Sequence, residues 1–207
     1  MSTFHVQAAP AIHEIDFDAI AERFGMPVHY VADQEGTHAE WTWRAERAVV
    51  VPSTIAPLES AILDGSVIGA HAMTNRAGTG GAEITRHFTD AVHAINPDLP
   101  SFGYFPESRR ARGQRKPSGY MGGLLLDQLI EVSGEKFAVV FVGDKKSDME
   151  EARQMSASRG ERPVVGFMVP RLGESDHPLD TLAGKRRKAQ AYYEQLASSG
   201  TRDFLRS

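Results

Sequence analysis

Short apolar runs alternate with helix-spaced patterns through most of this chain, and that alternation restricts the fold more than any other feature of the sequence. The strongest strand signal is KFAVVFVGD, residues 136–144, a continuous apolar stretch that stops at Gly-Asp and gives way to the helical pattern SDMEEARQMSAS. PVHYVA (27–32) breaks at Asp33-Gln34-Glu35-Gly36-Thr37, SVIGAHAM (66–73) ends at Thr74-Asn75, and SFGYF (101–105) and RPVVGFMV (162–169) read as two more strands. Helices are expected over 16–24, capped by Asp16 or Asp18 and stopped by Gly25, and over 54–63, where Ile55, Leu58 and Ile62 share a face. Others are expected over 83–95, with Ile84, Phe88, Ala91, Val92 and Ile95 on one side, over 120–132, and over 185–196. HAEWTWRAE reads as a hairpin around Trp41 and Trp43, and residues 106–118 as a loop. The pattern predicts a mainly parallel sheet with helices on both faces and ligand chemistry at the carboxyl ends of its strands, three of which end at Asp33, Thr74 and Asp144.

Composition narrows the chemistry. The 207 residues include no cysteine, which excludes thiolate zinc sites, thiol nucleophiles and redox pairs. A formal charge of −4 argues against wholesale electrostatic binding of nucleic acid, although Arg109, Arg110, Arg112, Arg115 and Lys116 lie within eight residues and Lys185–Lys188 form a second basic cluster. No apolar run reaches a membrane span and the first residues lack a secretion signal, so a cytoplasmic protein with no membrane partner is expected. The reading divides the chain into an extension with a short helix (1–26), a catalytic domain (27–183) and a C-terminal helix and tail (184–207). His29, His71, His87 and His93 have no metal-ligand spacing and read as core or surface residues.

An Asp before Gly at the end of a strand also suits a turn, and Thr-Asn a helix cap. Order decides between these readings. Asp33-Gln-Glu-Gly-Thr resembles motif I of the haloacid dehalogenase-like (HAD) phosphohydrolases, Asp-x-Asp-Gly-Thr. Thr74-Asn75, Arg115-Lys116-Pro117 and Gly143-Asp144-Lys-Lys-Ser-Asp148 follow in the order of that superfamily's remaining motifs, each in its expected strand or helix context.

The resemblance implies a Rossmann-like three-layer α/β sandwich and a Mg²⁺-dependent phosphatase that acts on a phosphate monoester through an aspartyl-phosphate on Asp33. It also implies a metal site of Asp33, the Glu35 carbonyl and Asp144, with Asp148 in support, phosphate contact from Thr74, and a fixed charge from Lys116. These roles suit phosphoryl transfer, where a protein mainly positions groups and neutralises charge. Lys145 is a secondary candidate that suits solvation equally. Glu35 departs from the family, which has Asp two residues after the nucleophile as acid and base. A backbone ligand is indifferent to this change, but the carboxyl moves by roughly 1 to 1.5 Å, a displacement that can cost about 10²-fold in rate. Either the loop accommodates Glu35 or turnover is slow.

No long insertion separates motif I from Thr74 or Thr74 from Lys116, so no large cap domain is expected and the site should be open. RKPSGYM resembles the small capless members that act on histidinol phosphate, heptose bisphosphate or polynucleotide 3′-phosphate ends. Some of those carry a cysteine-rich zinc loop where this chain has FPESRRARGQ. Asn75, Arg76, Arg112 and Arg115 are therefore expected to contact a small phosphorylated substrate, since guanidinium forks suit a further anionic group. Two rivals remain: a polynucleotide end-phosphatase that uses the basic clusters, and a catalytically weak phosphate-binding or scaffold protein, motivated by Glu35. The oligomeric state is open.

Overall fold

The computed structural model describes residues 4–42, 47–158, 162–172 and 190–198. Strand β1 (Phe4–Ala8) and helix α1 (Phe17–Phe24) precede β2 (Val28–Asp33), the strands β3 (Ala39–Thr42) and β4 (Arg47–Val50), and α2 (Pro52–Leu63). β5 (Val67–Met73), α3 (Gly78–Ile95), β6 (Gly103–Tyr104), α4 (Tyr120–Ser133), β7 (Ala138–Gly143), α5 (Lys146–Ala157) and β8 (Val164–Met168) follow, and residues 190–198 are helical.

Local chemistry explains most of these boundaries. The Asp16 side chain accepts a bond from the Ala19 amide, which caps α1, and Gly25 ends that helix in a left-handed turn at φ 62°. α3 starts earlier than its apolar spacing suggests, because Gly78–Gly81 joins the helix under tight packing: a Cβ on Gly81 would lie 2.3 Å from the Arg76 carbonyl oxygen. Strand β1 lies in a stretch where the sequence suggested only a short helix. It pairs in parallel with β8, from Phe4 opposite Val164 to Ala8 opposite Met168.

The main sheet has the order β1-β8-β7-β2-β5-β6, with every pair parallel. β3 and β4 form a separate antiparallel hairpin in the segment where HAEWTWRAE suggested one; Trp43 and the Trp41 side chain lie outside the described residues. From β2 the chain runs outward through β5 and β6, then returns to the other flank as β7 and β8. The connections leaving β2 and β7 therefore diverge, and a crevice opens at their carboxyl ends. Alternation along the strands fills two cores. Tyr30, Ala32, Val140 and Val142 pack with residues of α1, α2 and α3, including Ile20, Leu58 and Phe88. Val31, Val139 and Phe141 pack on the opposite face with Leu125 and Leu129 of α4 and Met149 and Met155 of α5, where Tyr192, Tyr193 and Leu196 of the last helix also rest. This is an α/β sandwich with helices on both faces, and among the described residues no cap covers the carboxyl edge. No described helix is long and apolar enough to cross a membrane.

Among the described residues three histidines are fully buried, and the partners of His29 and His71 fix those two as neutral. The Phe102 amide donates to His71 Nδ1 at 3.2 Å, so His71 Nε2 must carry the proton it shares with His29 Nδ1 at 3.0 Å, and His29 Nε2 then donates to Ser133 Oγ at 3.0 Å. His38 stands between the Tyr30 hydroxyl at 2.6 Å and Thr54 Oγ1 at 2.9 Å, which anchors the loop after β2. Burial, helped by Arg162, holds His29 down to about 4, burial holds His38 down to about 3, and burial with the His29 neighbour holds His71 well below its ordinary range. The unfolded chain protonates these groups near 6.5 and the folded chain does not, so stability is full above that pH and falls as the pH drops toward 4. Each histidine contributes a slope of about 1.4 kcal/mol per pH unit. Asp148, raised to about 6, and Asp144, also raised, both chiefly by burial, act in the opposite sense and offset part of this loss. Urea unfolding between pH 7.5 and 4.5 should show a steady loss below 6.5, and a flat profile would contradict neutral burial.

Candidate active site

The crevice gathers four chain segments. Asp33 is the last residue of β2, Thr74 follows the end of β5, Asp144 follows the end of β7, and Lys116 arrives from the loop before α4. Because Asp33 and Met73 are register partners on adjacent strands, Thr74 emerges beside the Asp33 carboxylate. Asp33, Thr74, Lys116, Asp144 and Asp148 are all buried.

Lys116 is locked among acceptors. Its Nζ lies 2.5 Å from Asp33 Oδ1 and 2.7 Å from Asp148 Oδ1, and donates to the Met73 carbonyl at 3.3 Å. Asn75 grips the same residue by its backbone, accepting from the Lys116 amide at 2.7 Å and donating to the Lys116 carbonyl at 3.2 Å. Behind it, buried Glu151 accepts from the Gly119 and Gly122 amides at 2.8 and 2.9 Å, which satisfies the open amides at the start of α4. Asp148 comes against the end of β7 because Gly143 has no side chain: a Cβ there would lie 2.4 Å from the Asp148 Cβ. The second Asp148 oxygen accepts from the Lys145 amide at 3.0 Å.

A second ammonium closes the acidic cluster. Lys145 Nζ lies 3.3 Å from Asp33 Oδ2, 3.3 Å from the Glu35 carbonyl oxygen and 3.1 Å from Asp144 Oδ1. Arg171, from the segment after β8, takes the other Asp144 oxygen at 2.6 Å. Gly36 makes room for this contact, since at its φ of 95° a Cβ would lie 2.8 Å from both Arg171 Nη1 and Asp144 Oδ2. The Glu35 side chain points toward two guanidiniums, Arg76 at 3.0 Å and Arg171 at 4.0 Å.

The charges answer to this geometry. Burial pushes the Asp33 carboxyl up, but Lys116 and Lys145 outweigh it and hold it down to about 2. Asp144 is raised by burial, with the Asp33 charge adding to it. Lys116, which burial would lower, is raised by Asp148 and Asp33. Ligating oxygens of Asp33, Asp144 and Asp148 lie within 4.8 Å of one another. Asp144 Oδ1 and Asp148 Oδ1 are buried without a hydrogen bond of ordinary geometry and face only an ammonium. A buried all-oxygen set that demands positive charge fits a hard divalent cation, and this cluster can hold a metal ion.

The structure thus brings Asp33, Glu35, Thr74, Lys116, Asp144 and Asp148 to one centre. Asn75 and Arg76, expected to face a substrate, have protein partners in Lys116 and Glu35. Arg115 donates to the Arg109 carbonyl at 3.2 Å, and Arg112 begins an exposed 3-10 turn. Lys185–Lys188 lie outside the described residues. Arg171, Glu151 and His38 were not anticipated. Arg171 alone had a signal in the sequence, because it follows the carboxyl end of a predicted strand.

No protein-family model and no curated protein sequence matches the chain. Among solved structures it is similar to a chain in the structure of the Pnkp1/Rnl/Hen1 complex, with 14% identity and a TM-score of 0.40. That match covers 69% of this chain and 47% of the other, so the chain spans about half the length of its neighbour.

Proposed function

We propose that the chain is a magnesium-dependent phosphatase of the HAD type that hydrolyses a phosphate monoester through an aspartyl-phosphate on Asp33. The observation that carries this reading is the convergence of Asp33, Lys116, Asp144 and Asp148 from separate segments onto one buried centre. Hard oxygen donors suit Mg²⁺, which Asp33, the Glu35 carbonyl and Asp144 would hold with Asp148 in support, and which when bound would screen the repulsion between carboxylate and phosphate.

The protein's own groups divide the remaining work. An Asp33 oxygen attacks phosphorus as the bond to the leaving oxygen breaks, and Glu35 gives that oxygen its proton. Glu35 then takes a proton from water, whose oxygen attacks phosphorus and breaks the Asp33–phosphoryl bond, releasing inorganic phosphate. Lys116 holds charge against Asp33 throughout, and Thr74, whose hydroxyl oxygen accepts from the Arg76 amide, would donate to a phosphoryl oxygen. The Arg76 and Arg171 contacts support a loop that accommodates the longer Glu35 side chain. Arg112 and Arg115 stand on the loop leading to Lys116 and would meet a further anionic group on a small substrate.

Phosphate esters assayed with and without Mg²⁺ test this reading: Mg²⁺-dependent release from small monoesters supports it, and no release from any ester overturns it. Exposed Arg109, Arg110 and Arg112 favour a polynucleotide end as the alternative substrate, and a steep loss of affinity with salt would mark it. Glu35→Gln should trap the phosphoenzyme, with turnover lowered by about 10²-fold or more, as seen in an acid-quenched burst. Glu35→Asp draws the carboxylate back from Arg76 by roughly 1.5 Å and should slow both half-reactions, without trapping the intermediate.

A further inference from the structure

We propose that the Lys145 ammonium is a tethered counterion, which occupies the cation position of the acidic cluster and withdraws from it when a divalent metal enters. The proposal rests on the reading of this cluster as a metal centre. Lys145 Nζ is shared among Asp33 Oδ2, the Glu35 carbonyl and Asp144 Oδ1, one oxygen from each of the three residues assigned to the metal. An ammonium donates to such oxygens from about 3 Å, whereas Mg²⁺ draws its ligands to about 2.0–2.1 Å, so one set of convergent oxygens serves one of the two at a time. Like charges at this range also repel strongly.

The surroundings suit exchange. The Lys145 side chain is 41% exposed, against 1% for Lys116, so Lys145 has solvent to move into and Lys116 has none. Its backbone amide is held by Asp148 Oδ2, so the main chain keeps its place while the four-carbon stem swings. Arg171 stays on Asp144 Oδ2 and leaves Oδ1 to whichever cation is present. Without metal, the lysine bridges the carboxylates and holds them together. With metal, its charge is released to the mouth of the crevice.

Lys145→Met keeps the stem and removes the charge, and Lys145→Gln provides a second variant. Mn²⁺ titration followed by electron paramagnetic resonance should show binding to both variants at least ~10-fold tighter than to the wild type. In EDTA the variants should melt below the wild type and gain more from saturating Mn²⁺. In wild-type protein, the protected Lys145 ammonium resonance should disappear on Mg²⁺ titration. Equal or weaker Mn²⁺ binding by the variants overturns the counterion role and leaves the metal centre standing. If no protein binds Mn²⁺, the metal centre fails and this proposal with it.

Discussion

Asp33→Asn should lower turnover by about 10³-fold or more while leaving the fold intact. An amide has nearly the shape of a carboxylate and keeps an oxygen for Lys116, so the end of β2 and its pairing with Met73 need not move. It lacks the charge and nucleophilicity to form an acyl phosphate. The loss should therefore fall on kcat, with no phosphoenzyme detectable after acid quench and circular dichroism unchanged. Retained turnover would remove Asp33 as the nucleophile.

Lys116→Met should damage both activity and stability. The ammonium is 1% exposed and stands between two buried carboxylates, so its removal takes the contacting cation from Asp148 and leaves Asp33 with Lys145 alone. Breaking a buried ion pair from one side costs about 3–5 kcal/mol, because the surviving charge is stranded away from water. Urea unfolding in EDTA should show a loss of this size, and saturating Mg²⁺ should recover part of it. Turnover should remain low even then, since in the proposed mechanism Lys116 also steadies the charge around phosphorus. Lys116→Arg retains charge, but the slot between oxygens 2.5 and 2.7 Å from Nζ has no room for a guanidinium plane, so it should restore stability only in part.

Strand ends were the legible part of this molecule. β2 is a β-prone run and β7 a continuous apolar one, each stopping at an aspartate, and a parallel sheet places such stops on one edge, so the sequence alone brings Asp33 and Asp144 together. The hidden features depend on contact rather than pattern. FHVQA is a short edge strand of intermediate burial, with too little alternating contrast to announce itself. Gly78–Gly81 reads as a breaker, yet belongs to α3 because small residues are needed where that helix meets Arg76 and Phe105. Glu151 lies mid-helix in a charged sequence, and only the approach of α4 reveals it as an acceptor for two amides. The contact of Arg76 and Arg171 with Glu35 could not be read either, because it joins a residue after β5 and one after β8 to the loop after β2.

Parallel pairing of β1 with β8 also sets a schedule for biosynthesis. Phe4 leaves the ribosome before the other strands of the described sheet, yet its partner Val164 appears only after nearly all of that sheet has been translated. Until then this strand has no strand to pair with. The segment that brings this partner also delivers Arg171 to Asp144 and Glu35. A nascent chain stalled before that point would hold Asp33, Lys116 and Asp144 yet lack the guanidinium on Asp144 and leave Glu35 to Arg76 alone, so the finished site should arrive together with closure of the sheet's late edge.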